Sequence, residues 1–119
     1  DACAVYTNNL PNGAFRGFGG PQAAFAAETQ MNKLAEALGM DPVELRMRNL
    51  LTEGALLSVG TPLPKGVSIT QVVERCAEEG GWEHTPAGWM LRKGSAAAPE
   101  SHLKRGVGFA CAFKILEGL

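Results

Sequence analysis

Gly13-Ala14-Phe15-Arg16-Gly17-Phe18-Gly19-Gly20-Pro21-Gln22 is a glycine-rich turn that runs straight into a helix start, and it organises the chain on either side. Its glycines permit positive φ and leave backbone amides uncovered by side chains. Pro21 suits a first helical turn, because an N–H there would have no intrahelical partner. The free amides and dipole of a helix start favour an anion or a polar oxygen. Arg16 adds a permanent forked cation, and Phe15 and Phe18 bracket it with flat rings. The competing reading is a tight turn with two phenylalanine core anchors, since glycine-rich strand–helix loops are common. The stretch is neither a Walker loop, for want of Gly-Lys-Ser/Thr, nor a dinucleotide fingerprint, whose spacing and downstream acid it misses.

Upstream, residues 2–7 alternate weakly through Val5, Tyr6 and Thr7 and predict a short strand, ended by Asn8-Asn9 and Pro11-Asn12-Gly13. Downstream, Ala24, Phe25, Glu28, Met31, Leu34, Ala35 and Leu38 recur at helical steps and predict one core-facing side, with Gly39 as a left-handed stop. Asp41-Pro42-Val43-Glu44 predicts a second helix, capped by Asp41 with Glu44 reaching back and with Arg46 and Arg48 in its C-terminal half. Residues 52–67 read as an extended connection. Ser68-Ile69-Thr70-Gln71 is a capping-box pattern opening a third helix, whose stripe is Ile69, Val72, Val73, Cys76 and Ala77 and whose end is Gly80-Gly81. Residues 82–104 are polar and irregular and predict a mobile connection, pinned in places by Trp82, Trp89 and Met90. Val107, Phe109, Cys111, Phe113 and Ile115 alternate with small residues and predict a strand with one bulky face and one nearly flat face.

Helices at three places and strands at the two ends make an α+β chain, yet two strands so far apart cannot close a sheet. The 119 residues therefore read as a single partial domain, and the absence of an initial Met suits a piece of something longer. A hydrophobic content of 45% argues against disorder throughout. Eleven basic against twelve acidic side chains leave no electrostatic footprint for nucleic acid or anionic lipid. The first residues, Asp1 to Tyr6, carry no basic region or long apolar stretch, so no signal peptide is expected in them, and no apolar run reaches the roughly 18 residues that span a bilayer. The three cysteines, Cys3, Cys76 and Cys111, are widely spaced and read as free, mostly buried thiols in a reducing, cytoplasmic setting.

Thr7-Asn8-Asn9, the glycine loop, Glu28, Asp41-Pro42-Val43-Glu44-Leu45-Arg46-Met47-Arg48-Asn49-Leu50 and Lys104-Arg105-Gly106-Val107-Gly108-Phe109-Ala110 follow one another in an order that resembles the molybdopterin-binding subunit of the xanthine dehydrogenase and aldehyde oxidase family. The ten-residue loop is the specific signal, and the other segments support it across nearly the whole chain. The resemblance implies that Phe15, Arg16, Gly17 and Gln22 contact the cofactor, that Arg16 lies near molybdenum through its backbone, and that Phe18 stacks on a planar substrate. Gln22 is equally well a helix-capping amide, and Glu28 either braces the loop through Arg16 or sits at the surface.

The resemblance further implies molybdopterin with molybdenum, in the cytosine dinucleotide form if the chain is bacterial. It implies hydroxylation of an N-heterocycle or aldehyde, with iron–sulfur clusters and FAD on other domains or subunits. The remainder of the molybdopterin subunit would be a partner. The family's catalytic glutamate motif, its glutamine-containing glycine loop and its cysteine-rich cluster motifs are not in this sequence, and Ile115-Leu116-Glu117-Gly118-Leu119 departs from the family pattern. The expectation is a chain without turnover of its own; the alternative is a small non-catalytic binding or interaction module. His84 and His102 lack metal-ligand spacing and read as solvated.

Overall fold

A computed structural model describes residues 3–11, 13, 16–92, 102 and 106–112. Its elements run α1 (Gly20–Leu38), α2 (Pro42–Asn49), α3 (Ile69–Gly80), β1 (Trp82–Thr85) and β2 (Gly88–Leu91). This is a small α+β arrangement, with the helices where the apolar periodicity puts them.

Helix α1 ends at Gly39, whose left-handed φ of 61° lets its amide return to Ala35 and Glu36. Asp41 then caps α2, accepting Val43 N–H at 2.8 Å. Glu44 does not reach back to that cap as the pattern predicts, because its two oxygens are taken by Arg48 Nε at 2.6 Å and Trp89 N–H at 2.8 Å. Ser68 is at the N-cap of α3 but makes no side-chain cap bond, since its backbone (φ −105°, ψ 17°) lacks the extended geometry that aims the hydroxyl at the first amides. Only Val73 and Ala77 of the α3 stripe are buried, leaving Val72 and Cys76 exposed.

The irregular connection expected over residues 82–104 is, in its first part, an antiparallel hairpin pairing Trp82 with Leu91 and His84 with Trp89. Two features make it form. Residues Pro86 and Ala87 supply a two-residue turn, and Thr85 Oγ1 closes it by donating to the Gly88 carbonyl at 2.8 Å and accepting from Ala87 N–H. The register also places both tryptophans on one face, where they join Val43 and Ala77 as the buried core, with Met47 and Phe109 packed against it. Burial of two indoles outweighs the weak β-propensity of so polar a stretch. Residues 93–101 lie outside the described part.

Among the described residues, neither predicted strand is paired. Residues 3–7 carry no ladder, and no described strand lies beside them. Residues 106–112 run without a ladder as well. Phe109 meets Trp82 edge-on at 5.7 Å, and Cys111 N–H donates to Glu28 Oε2 at 2.7 Å in place of a neighbouring strand. Phe113 and Ile115 fall outside the described residues. The connection over residues 52–67 folds back through a single bridge, Leu56 to Pro62, and buries Leu63.

Candidate functional site

The glycine loop stands at the N-terminal end of α1. Gly17, Phe18 and Gly19 have φ of 85°, 47° and 90°, three successive residues in left-handed territory. Gly20 N–H closes the turn onto the Gly17 carbonyl at 2.8 Å. Glycine is required at 17, because a Cβ there would lie 2.7 Å from Cδ of Pro21. Phe18 has no such exemption. A non-glycine residue at positive φ costs of order 1 kcal/mol, a strain most often stored where function demands it.

No side chain caps α1, and no acidic residue occupies its first turn. Nothing lies within 4 Å of where a Cβ would stand at Gly13, Gly19 or Gly20. The loop therefore opens the positive end of a 19-residue helix to its surroundings, with Arg16 and Gln22 exposed beside it. Phe18 is 87% exposed, so it is not a core anchor. Phe15 lies outside the described residues. Uncovered amides, a helix start, a cation and a bare aromatic ring fit a large anionic cofactor with planar parts. The described residues offer no cluster of three or more His, Cys, Asp or Glu able to hold a metal ion.

Glu28 pairs with Arg46 of α2 and not with Arg16. Its carboxylate accepts from Arg46, with Nε at 2.8 Å and Nη2 at 2.7 Å. Arg46 is 3% exposed and also donates to the carbonyls of Pro42 and Glu28 and to Asn32 Oδ1. The sequence reading assigns Arg46 to the dipole at the C-terminal half of α2 and misses this pairing. The position of Arg46 one turn after the proline-started cap, facing an acid eighteen residues earlier, has no local sequence signature.

Cys111 is partly buried, and desolvation, then the nearby Glu28 charge, holds its thiol above the ordinary value. Cys3 and Cys76 are exposed, against the expectation of mostly buried thiols. His84 is exposed and packs edge-on against Trp89, and His102 is exposed. No helix among the described residues is long and apolar enough to cross a membrane.

Residues 1–50 match the molybdopterin cofactor-binding domain. The chain is 47% identical over 89 residues to the nicotinate dehydrogenase large molybdopterin subunit of Eubacterium barkeri, a match covering 71% of this chain and 21% of that protein. It is 38% identical over 106 residues to the xanthine dehydrogenase molybdenum-binding subunit of Escherichia coli O157:H7, covering 89% of this chain and 13% of the relative. Against the aldehyde oxidoreductase of Megalodesulfovibrio gigas it is 42% identical over 71 residues, 60% of this chain and 8% of the relative. The chain thus spans about a fifth or less of the length of these relatives. The order of motifs and these matches agree: the chain belongs to the xanthine dehydrogenase and aldehyde oxidase family, as a stretch of its molybdopterin-binding subunit.

Proposed function

We propose that this segment forms one wall of the molybdenum-cofactor and substrate site of a molybdenum hydroxylase acting on an N-heterocycle or an aldehyde. The observation that carries the reading is the left-handed run Gly17-Phe18-Gly19 opening onto the uncapped start of α1 inside the matched residues. Arg16 and Gly17 present backbone and cationic donors to the cofactor, Phe15 shapes the same loop, and Gln22 offers its amide from the first helical turn. Arg16 lies beside the metal through its backbone. Phe18 offers its bare ring to a flat substrate, which orients the carbon to be hydroxylated. Phe18 stands at positive φ with its side chain 87% exposed, so no internal packing competes for the ring.

When bound, molybdopterin with molybdenum, in the cytosine dinucleotide form if the chain is bacterial, would supply the oxidation chemistry. The chain supplies orientation and a positive wall. The base that completes catalysis and the iron–sulfur and FAD centres belong to the remainder of the subunit and to partner domains or subunits, so the chain alone does not turn over. The assembly works in the cytoplasm, without nucleic acid or membrane.

The test is metal and pterin analysis of the native complex, followed by Arg16→Ala. Lower molybdenum occupancy and activity in the variant support the assignment, and unchanged values of both overturn it. Substrate oxidation by the purified chain alone would overturn the division of labour.

A further inference from the structure

Helix α1 is poorly anchored by apolar packing. Of its 19 residues only Ala35 is buried, and Phe25 is 77% exposed. Its direction is set instead by polar contacts. Arg46 of α2 reaches α1 at three points: the Glu28 carboxylate, the Glu28 carbonyl at 3.2 Å and the Asn32 amide oxygen at 3.0 Å. The same guanidinium is tied to its own helix through the Pro42 carbonyl at 2.9 Å. Glu28 Oε2 also receives Cys111 N–H at 2.7 Å, so one carboxylate oxygen joins α1, α2 and the segment at residues 106–112.

A buried ion pair is a poor source of net stability, since desolvation consumes most of the attraction. A planar fork bound at several points is a good source of direction, because small rotations break several bonds together. Glu28 stands about 12 Å along α1 from its first residue. Tilting α1 about the clamp would swing the loop bodily.

We propose that Glu28 and Arg46 are a positioning pair that sets the direction of α1 and thereby the placement of the Arg16–Gly20 loop against the cofactor. The proposal rests on the reading of that loop given under Proposed function. Neither residue touches the site. They act through the rigid helix between them and the loop.

The test uses the native complex with the full-length subunit. Glu28→Gln keeps the size and one acceptor oxygen but removes the charge that holds the fork, Asn32→Ala removes one exposed prong, and Arg46→Lys keeps one bond in place of several. Molybdenum and pterin content, the electron paramagnetic resonance spectrum of the molybdenum centre, and kcat per bound molybdenum are measured for each. The expected result for Glu28→Gln is an altered spectrum with kcat per molybdenum down about tenfold. Arg46→Lys should lie between it and wild type, and Asn32→Ala should shift the spectrum least. If occupancy falls in Glu28→Gln while the loaded fraction keeps the wild-type spectrum and kcat, the pair is merely structural and the proposal is overturned. A wild-type complex holding no molybdenum would instead sink the reading of the loop. Should Arg46→Lys fail to assemble, Glu28→Gln and Asn32→Ala decide the matter between them.

Discussion

Trp82 donates its indole N–H to both oxygens of Asp41, at 2.9 and 3.1 Å, across 41 residues of sequence. Asp41 thereby does more than start α2. It accepts Val43 N–H as a helix cap, holds the indole of β1, and accepts Leu91 N–H of β2 at 3.2 Å. The hairpin is docked onto the start of α2 through this carboxylate and through Glu44.

Asp41→Ala should cost about 2–4 kcal/mol, from a lost cap and a buried indole N–H left without an acceptor. Asp41→Asn keeps one acceptor oxygen and should cost clearly less. Urea unfolding of the two variants separates them, and equal costs would mean that the retained oxygen recovers none of these bonds.

A methyl group added at Gly88 would meet the carboxylate that docks the hairpin onto α2. The φ of Gly88 is 113°, and a Cβ there would lie 2.5 Å from Glu44 Oε2, the oxygen that holds Trp89 N–H. Gly88→Ala should destabilise by about 2–3 kcal/mol, combining backbone strain with displacement of that carboxylate. In a Glu44→Ala background the added cost should shrink, a non-additivity readable in a double-mutant cycle.

Glu44 titrates below the ordinary carboxylate value of 4.5, held down first by Trp89 N–H and then by its bond to Arg48. A depressed acid adds stability that is complete above its unfolded value and is lost as pH falls through the lower folded one. Chain stability should therefore decline as pH drops below about 4.5. Glu44→Gln should flatten that part of the profile; an unchanged acid limb would assign the effect to other carboxylates.

Cys111 has the opposite sense. Its raised thiol stays protonated above the ordinary value of 9.0, so its share of stability falls as pH rises from there toward the raised value. At pH 8, peptide-level mass spectrometry should find iodoacetamide on Cys3 and Cys76 first, with Cys111 slower by at least about fivefold.

Phe18 packs against nothing that folding needs. Phe18→Ala should leave stability within about 0.5 kcal/mol. In the native complex the same variant should raise KM for a flat heterocycle about tenfold, the size of a lost aromatic stack. An unchanged KM would remove Phe18 from the substrate wall.

Local chemistry accounts for what was legible in the residues. The helices announced themselves because proline starts, the Asp41 cap, the Gly39 stop and three- and four-residue apolar steps act within a few residues of one another. The glycine loop was legible for the same reason: steric freedom at Gly17 and the helix start beside it are local properties. The hairpin was hidden because its segments are short and polar outside the two tryptophans, and its stability comes from docking on α2. The terminal strands were overread, since alternation makes a strand possible and only a neighbour makes it real.

The sequence by itself determined where helices begin and end, that the loop ahead of α1 could face an anion, and which family the chain resembles. Only the tertiary structure decided that Glu28 answers Arg46 rather than Arg16, that Asp41 and Glu44 dock the hairpin, and that residues 106–112 hang from a carboxylate instead of a sheet. The reason is distance along the chain. Hydrogen bonds and ion pairs between residues 18 to 83 positions apart leave no periodic mark in sequence. They appear only when packing brings their groups within about 3 Å.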